Sequence, residues 1–474
     1  MRQFLYKRRK TMSSEDQSNH IQMRREVISI TWPAFIELVL STLFGMVDMI
    51  MVGQLSPAAI TSVGLTNQPF MLLLALFAAV NVGTTTLVSW NIGAGSIQKA
   101  SSVTRQILVV NTVLGVVMSA VGVFFARYVV IFMGAESDTI QNATAYFQIV
   151  CSGLMFQAIT MGITASLRGA GETKLPMLYN IGSNLLNVFG NYVLIYGKFG
   201  FPKWGVAGAA VSTTLSRVIA CAIGLYIVYG SNHTVLSLRR RTKYQFDWGI
   251  IKKVFSIGIP AAFEQFVIQS GLMMFARTVS GLGTLGFAAH QIGLNINGLA
   301  FAPSMAFGVA ATTLVGQSMG ANDEKRAQQY ANIVHHMAII VACSVGFLLI
   351  LFSHPIARLY TKELAVASLA GTVLKIMSLS QPGQSTQLSI AGALRGAGDT
   401  MYPLYASIFG IWIFRVVVAY IFVNIFHWGL IGAWVALVMD QYTRAAVVLL
   451  RYRSGKWKKI KARSQERDEP KEIY

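Results

Sequence analysis

Long apolar runs separated by short polar breaks dominate this chain, and their spacing predicts its elements. A hydrocarbon core of about 30 Å needs roughly 20 apolar residues in one helix. Segments of that length fall at 28–53, 58–83, 104–133, 141–165, 173–197 and 205–230, then at 250–278, 284–312, 328–353, 363–392, 399–425 and 429–450. Twelve membrane-spanning helices are expected, and the polar, basic run Ser231–Trp248 divides them six and six.

A repeat runs through the same pattern. LRGAGETKLP at 167–176 returns as LRGAGDTMYP at 394–403, an offset of 227 residues. The same offset joins Ser29 to Ser256, Pro33 to Pro260, Glu37 to Glu264, Thr86 and Leu87 to Thr313 and Leu314, and Gly93 to Gly320. One gap-free offset across separate spans and breaks implies two equivalent halves. Each half holds an even number of spans, so both enter the membrane from one side and are related by an axis along its normal, an arrangement that commonly encloses a central cleft. The expected fold is an all-α integral membrane protein, with twelve transmembrane helices in two six-helix pseudo-symmetric bundles around a central cavity. Its expected parts are a basic amino-terminal tail (1–27), an N-lobe (28–230), a cytoplasmic linker (231–249), a C-lobe (250–450) and a carboxy-terminal tail (451–474), which ends in the disordered-looking RSQERDEPKEIY.

Composition excludes a soluble domain. The 474 residues are 54% hydrophobic and 12% charged, too few polar side chains to cover a water-facing surface. The net charge of +20 raises nucleic-acid binding, but the basic residues gather in the tails and in short breaks between apolar runs, which is how membrane orientation is written. With the amino terminus inside, 29 of the 39 Lys and Arg fall on the inner side. Both termini are therefore expected in the cytoplasm of a multi-pass cell-membrane protein. Arg217, Arg277, Lys375, Arg415 and Arg444 lie within or at the ends of spans, where snorkelling to the interface is the expected behaviour. Cys151, Cys221 and Cys343 sit singly in apolar stretches and read as helix packing. No metal site is supported by the scattered histidines, of which only His335 and His336 are neighbours.

With these features in place, the chain resembles the multidrug and toxic compound extrusion (MATE) family over nearly its whole length. The resemblance rests on Pro33 with VDMIMVGQL in the first span, TTLVSWNIGAG and TTLVGQSMGAN after the second and eighth, the paired LRGAG(E/D)T turns and GVAGAAVSTT in the sixth. It implies two six-helix lobes around a cavity. It also implies efflux of small organic cations or amphipathic drugs, coupled to inward flow of H⁺ or Na⁺, with no other cofactor. A monomer in contact with membrane lipid and not with nucleic acid is expected.

An ionised carboxylate at the bilayer centre costs roughly 2.5–3.5 kcal/mol on insertion scales, so the four intramembrane acids Glu37, Asp48, Glu264 and Asp440 carry most of the functional interest. Asp48 matches the acid that family members carry in the first span. Asn187 and Asn191, on one face of the fifth span, and Thr213 in the sixth are its expected partners. Together they could bind Na⁺ through oxygen atoms or hold a proton, and the resemblance places the coupling site there. No metal is expected beyond Na⁺ at Asp48. Glu264 matches an acid that NorM-like members use in the second lobe, to attract a cationic drug or exchange a proton. Where that pattern has an aspartate in the tenth span this chain has Gln384, so the NorM and DinF branches remain open. Glu37 repeats Glu264 and lies eleven residues, about three turns, from Asp48, which makes it a candidate cavity residue. Asp440 and Arg444, four apart, read as a local ion pair. Pro33 and Pro260 are candidate hinges. A flippase for lipid-linked oligosaccharides shares the double-bundle plan, but would want a basic cavity, whereas the cavity acids expected here favour cations. An enzyme is not expected: GxSxG, a phosphate loop and a paired-histidine motif are all missing from the sequence.

Overall fold

The computed structural model describes residues 14–137, 139–230, 234–236, 238 and 246–460. The basic first thirteen residues, the basic core of the linker (239–245) and the carboxy-terminal run 461–474 lie outside the described residues. Twelve helical rods follow one another. The first six are α1 (Ser14–Gly53), α2 (Pro57–Gly93), α3 (Ile97–Phe124, continued by Ala126–Phe132), α4 (Ile140–Ser152 and Leu154–Gly169), α5 (Lys174–Tyr196) and α6 (Gly205–Gly230). The others are α7 (Trp248–Ser280), α8 (Gly283–Gly320), α9 (Glu324–Tyr360), α10 (Leu364–Gly396), α11 (Met401–Ile425) and α12 (Gly429–Arg453).

Local chemistry explains the starts and stops. Ser56 caps α2 by accepting from the Ala59 N–H (3.2 Å), with Pro57 in the first turn, and Asp247 and Asp323 cap α7 and α9 in the same way. The turns after α4 and α10 each need a left-handed residue, met by Gly171 (φ 89°) and Gly398 (φ 87°), which are 227 residues apart. Two helices depart from regular geometry. α4 bends by 44° between Ser152 and Leu154, and α11 runs as a π-helix over Ile408–Val418 and Ile421–Ile425.

Among the described residues, nine helices are long and apolar enough to cross a membrane, and ten if bent α4 is one span. The other two rods, α5 and α7, fall short because they carry more polar residues. Asn180, Asn184, Asn187 and Asn191 recur at spacings of four, three and four along one face of α5, and α7 carries Lys252, Lys253, Glu264 and Gln265. Outward-facing Phe124, Phe132, Ile340, Phe347, Leu359 and Leu450 are all exposed, as lipid contact requires. Cys343 is exposed with them on α9, so only Cys151 and Cys221 are packing residues.

The two halves meet closely at the end that bears the start of α1 and the end of α12. There Val27, Leu87, Val88 and Trp90 share one core with Leu314, Val315, Tyr330 and Trp457, and Leu236 of the linker docks into it. Glycines let the backbones touch: a Cβ on Gly93 would overlap the Gln317 carbonyl, and one on Gly320 would overlap the Trp90 carbonyl. Polar bonds then cross in pairs that obey the repeat. Thr86 donates to the Arg395 carbonyl (3.0 Å) and Thr313 to the Arg168 carbonyl (2.8 Å). The Trp90 indole donates to the Gly396 carbonyl (2.7 Å) and Gln317 to the Gly169 carbonyl (3.1 Å). Each half therefore holds the other half's LRGAG turn.

Overpacking of this kind costs about 1–3 kcal/mol, enough to shift an opening equilibrium about tenfold. Gly93→Ala is expected to speed labelling of a cysteine placed at Ser89, which is fully buried beside Gly316, by about that factor in a background without native cysteines. Unchanged labelling would show that the close approach does not hold this end shut.

Candidate functional site

Between the halves lies a cavity of about 830 Å³, walled mainly by α1, α2, α4, α5 and α6, with α7, α8 and α10 closing its deeper side. Its floor is a duplicated ion pair. Arg168 meets Glu37 at 2.9 Å, and Asn180 donates to the same carboxylate at 2.7 Å. In the other half Arg395 donates to both oxygens of Glu264 (2.8 and 2.7 Å), and Ser407 donates at 3.2 Å. All three positions, acid, arginine and amide or hydroxyl, correspond at the offset of 227. Glu264 is 1% exposed and Glu37 7%, so neither stands in the cavity as an uncompensated negative charge.

Higher on the wall, Asp48 is partly buried on α1. Asn191 donates to its Oδ1. With its amide nitrogen turned to Asp48, Asn187 donates to both carboxylate oxygens at 2.9 Å, and its carbonyl accepts from the Thr213 hydroxyl at 3.2 Å. The four residues grouped from the sequence thus form one contact set across α1, α5 and α6. Asn191 Oδ1 is buried without a partner, so the set holds an unused oxygen beside the carboxylate. Among the described residues no Lys, Arg or His lies within ion-pair distance of Asp48. No cluster of three or more His, Cys, Asp or Glu that could hold a metal is found among them either.

Several residues sit differently from expectation. Arg168 and Arg395, at the ends of α4 and α10, turn onto the buried carboxylates of Glu37 and Glu264. Arg217 does not snorkel: it lines the cavity, with its guanidinium 4.7 Å from the Phe70 ring centroid and Nη1 donating to the Val150 carbonyl (3.3 Å). The cavity is consequently not acidic, since Glu37, Asp48 and Glu264 share it with Arg168, Arg217 and Arg395. Gln384 is 2% exposed and absent from the cavity wall, because α10 packs against α8, α9 and α12. Its Oε1 has no partner. Asp440 pairs with Arg444 as read, at 3.0 Å, but also with Arg415 of α11 at 2.6 Å, making a buried triad the spacing alone could not show. Pro33 and Pro260 lie inside α1 and α7 at equivalent places.

The comparisons agree with this architecture. The MatE family model matches twice, at residues 33–193 and 260–421, and the two matches start 227 residues apart, as the repeat does. The chain is 33% identical over 446 residues to "Probable multidrug resistance protein NorM" of Thermotoga maritima, covering 94% of this chain and 96% of that one. It is 30% identical over 432 residues to "Uncharacterized transporter YisQ" of Bacillus subtilis, covering 91% and 94%. Its fold matches the solved structure titled "Outward-facing conformation of a multidrug resistance MATE family transporter of the MOP superfamily" with a TM-score of 0.86 at 24% identity, over 92% of this chain and 97% of that one. Two copies of the family model on two equivalent six-helix halves, with full-length relatives, establish that this chain is a multi-pass membrane transporter of the multidrug and toxic compound extrusion (MATE) family.

Proposed function

We propose that the protein exports organic cations and amphipathic drugs in exchange for H⁺ or Na⁺, and that Asp48 with Asn187, Asn191 and Thr213 is the coupling site. The observation that carries this reading is the difference between the cavity's acids. Glu37 and Glu264 are each neutralised by an arginine, whereas Asp48 has only amide partners and can gain or lose a cation. The Asn187 amide suits either state: its nitrogen donates to an ionised carboxylate, and turned through half a rotation its oxygen accepts from a protonated one or faces a Na⁺. Relatives named as multidrug resistance proteins support the drug assignment. The balance of Lys and Arg supports cytoplasmic termini, which puts the sealed end inside and the cavity toward the outer face. On this reading, residues 28–230 and 250–450 move as two lobes, with Pro33 and Pro260 as bending points in α1 and α7. Each copy works alone.

Reconstitution in liposomes with a fluorescent organic cation, under a H⁺ or a Na⁺ gradient imposed separately, tests this. One gradient alone is expected to drive transport. If neither moves any cation, the exporter reading falls. A flippase for lipid-linked oligosaccharides is the second reading, favoured by the arginines in the cavity, and movement of a labelled lipid-linked sugar without any cation transport would support it.

A further inference from the structure

Arg217 has no role in the reading above. It is the thirteenth of the 26 residues of α6, so about 18 Å of helix separates it from either end. An arginine side chain cannot snorkel that far. A charge at mid-bilayer depth costs roughly 2.5–3.5 kcal/mol even on insertion scales, and Arg217 has no carboxylate within ion-pair distance among the described residues. The two other arginines of the cavity both have one. Bracing α6 against α2 and α4 takes only its ring face on Phe70 and one Nη1 hydrogen bond to Val150. A guanidinium carries five N–H donors in a planar fork matched to two oxygens, and Arg217 lines the cavity with one of them given to Val150.

Its neighbours give the missing partner a chemistry. Arg217 lies four residues, one turn, beyond Thr213 on the same face of α6, and therefore next to the Asp48 set. Phe44, Phe70, Met71 and Phe147 supply apolar surface in the same cavity. The wall thus offers an acid and a guanidinium close enough to feel each other's charge without forming an ion pair, beside an apolar bed. We propose that Arg217 is an anion subsite of the cavity, which anchors the carboxylate of amphipathic substrates. This rests on the exporter reading for its consequence, but the subsite itself is a matter of binding.

The test therefore measures binding and transport separately. Rhodamine B carries a free carboxylate, and its ethyl ester is the same fluorophore without one. Fluorescence polarisation with purified protein is expected to show Arg217→Gln weakening the acid about tenfold, the worth of one charge-assisted pair, while ester affinity stays within about twofold. Arg217→Lys, which keeps the charge and loses the fork, is expected to fall between the two. A thermal melt of each variant separates loss of the subsite from loss of the brace, because a purely structural role weakens both dyes together. Equal weakening of the two dyes, or no binding of the acid to the unaltered protein, overturns the inference. So does displacement of the acid by a short-chain phosphatidate but not by a simple aryl carboxylate, which would assign the arginine to a lipid headgroup. If Arg217-dependent binding of the acid is found but no gradient drives transport, the subsite stands and the exporter reading fails.

Discussion

Asp48→Asn is expected to reduce gradient-driven transport to the level of empty liposomes while leaving the quantity of folded, inserted protein unchanged. The substitution keeps the size of the side chain and replaces a carboxylate whose partners are amides, so packing among α1, α5 and α6 is nearly conserved. What disappears is the ability to exchange charge. A neutral amide neither titrates nor compensates a cation at mid-membrane, where the carboxylate's cost is tolerable only if the group is used. Downhill, gradient-independent binding of a dye to the cavity is expected to survive, and a binding assay beside the transport assay checks this. Asp48→Asn protein that still concentrates drug under a H⁺ or Na⁺ gradient would remove Asp48 from the coupling step.

The second large effect concerns Glu264 and separates two physical roles for it. If Glu264 were the free cavity acid that its sequence context suggests, Glu264→Gln would spare stability and alter transport. The structure instead places it under Arg395 Nη2, with both oxygens engaged at 2.7–2.8 Å and 1% exposure. Removing one partner of a buried pair strands the other charge, at a cost of about 3–5 kcal/mol, whereas removing both is far milder. Glu264→Gln alone is therefore expected to lower the melting temperature sharply in a detergent melt. Glu264→Gln combined with Arg395→Met is expected to recover most of that loss. A single variant as stable as the parent would show that the pair is not a structural element of the floor.

The parts of this molecule that the sequence made legible are those written as periodicity or as repetition. Twelve rods, their order and the equivalence of the halves were all readable, because apolar length and a constant offset are local or cumulative signals. Asp48 with Asn187, Asn191 and Thr213 was readable through the family resemblance, with the four-residue spacing adding only that the two asparagines share a face. Three things were not. The ten residues by which α2 outruns its apolar segment, from Thr84 to Gly93, include three threonines, a serine and an asparagine yet stay helical. The Thr86 hydroxyl and Trp90 indole find carbonyls in the opposite half, Thr85 finds one on α4, and Thr84 and Ser89 donate within α2. Nothing local to Thr86 announces a carbonyl 309 residues away. The arginines are the second case. Arg168, Arg217 and Arg395 look like interfacial residues in one dimension, and only the folded positions of Glu37, Glu264 and Phe70 turn them inward. Gln384 is the third, because alignment back from a turn fixes a position along α10 and leaves its neighbours unspecified.

The crossing of Thr86 and Trp90 to one turn, and of Thr313 and Gln317 to the other, also bears on how such a chain can evolve. Within its own half the Arg168 carbonyl already accepts from the Gly171 N–H, and the opposite half adds the Thr313 hydroxyl there and the Gln317 amide at the Gly169 carbonyl. The same exchange would close a dimer of two identical halves, each lending its side-chain donors to the other's turn. After fusion, a position that lends an N–H or O–H across the boundary can change residue type and still close the turn if the donated hydrogen is kept. The indole of Trp90 and the amide of Gln317, dissimilar in every respect but one donated hydrogen, are the mark of that constraint.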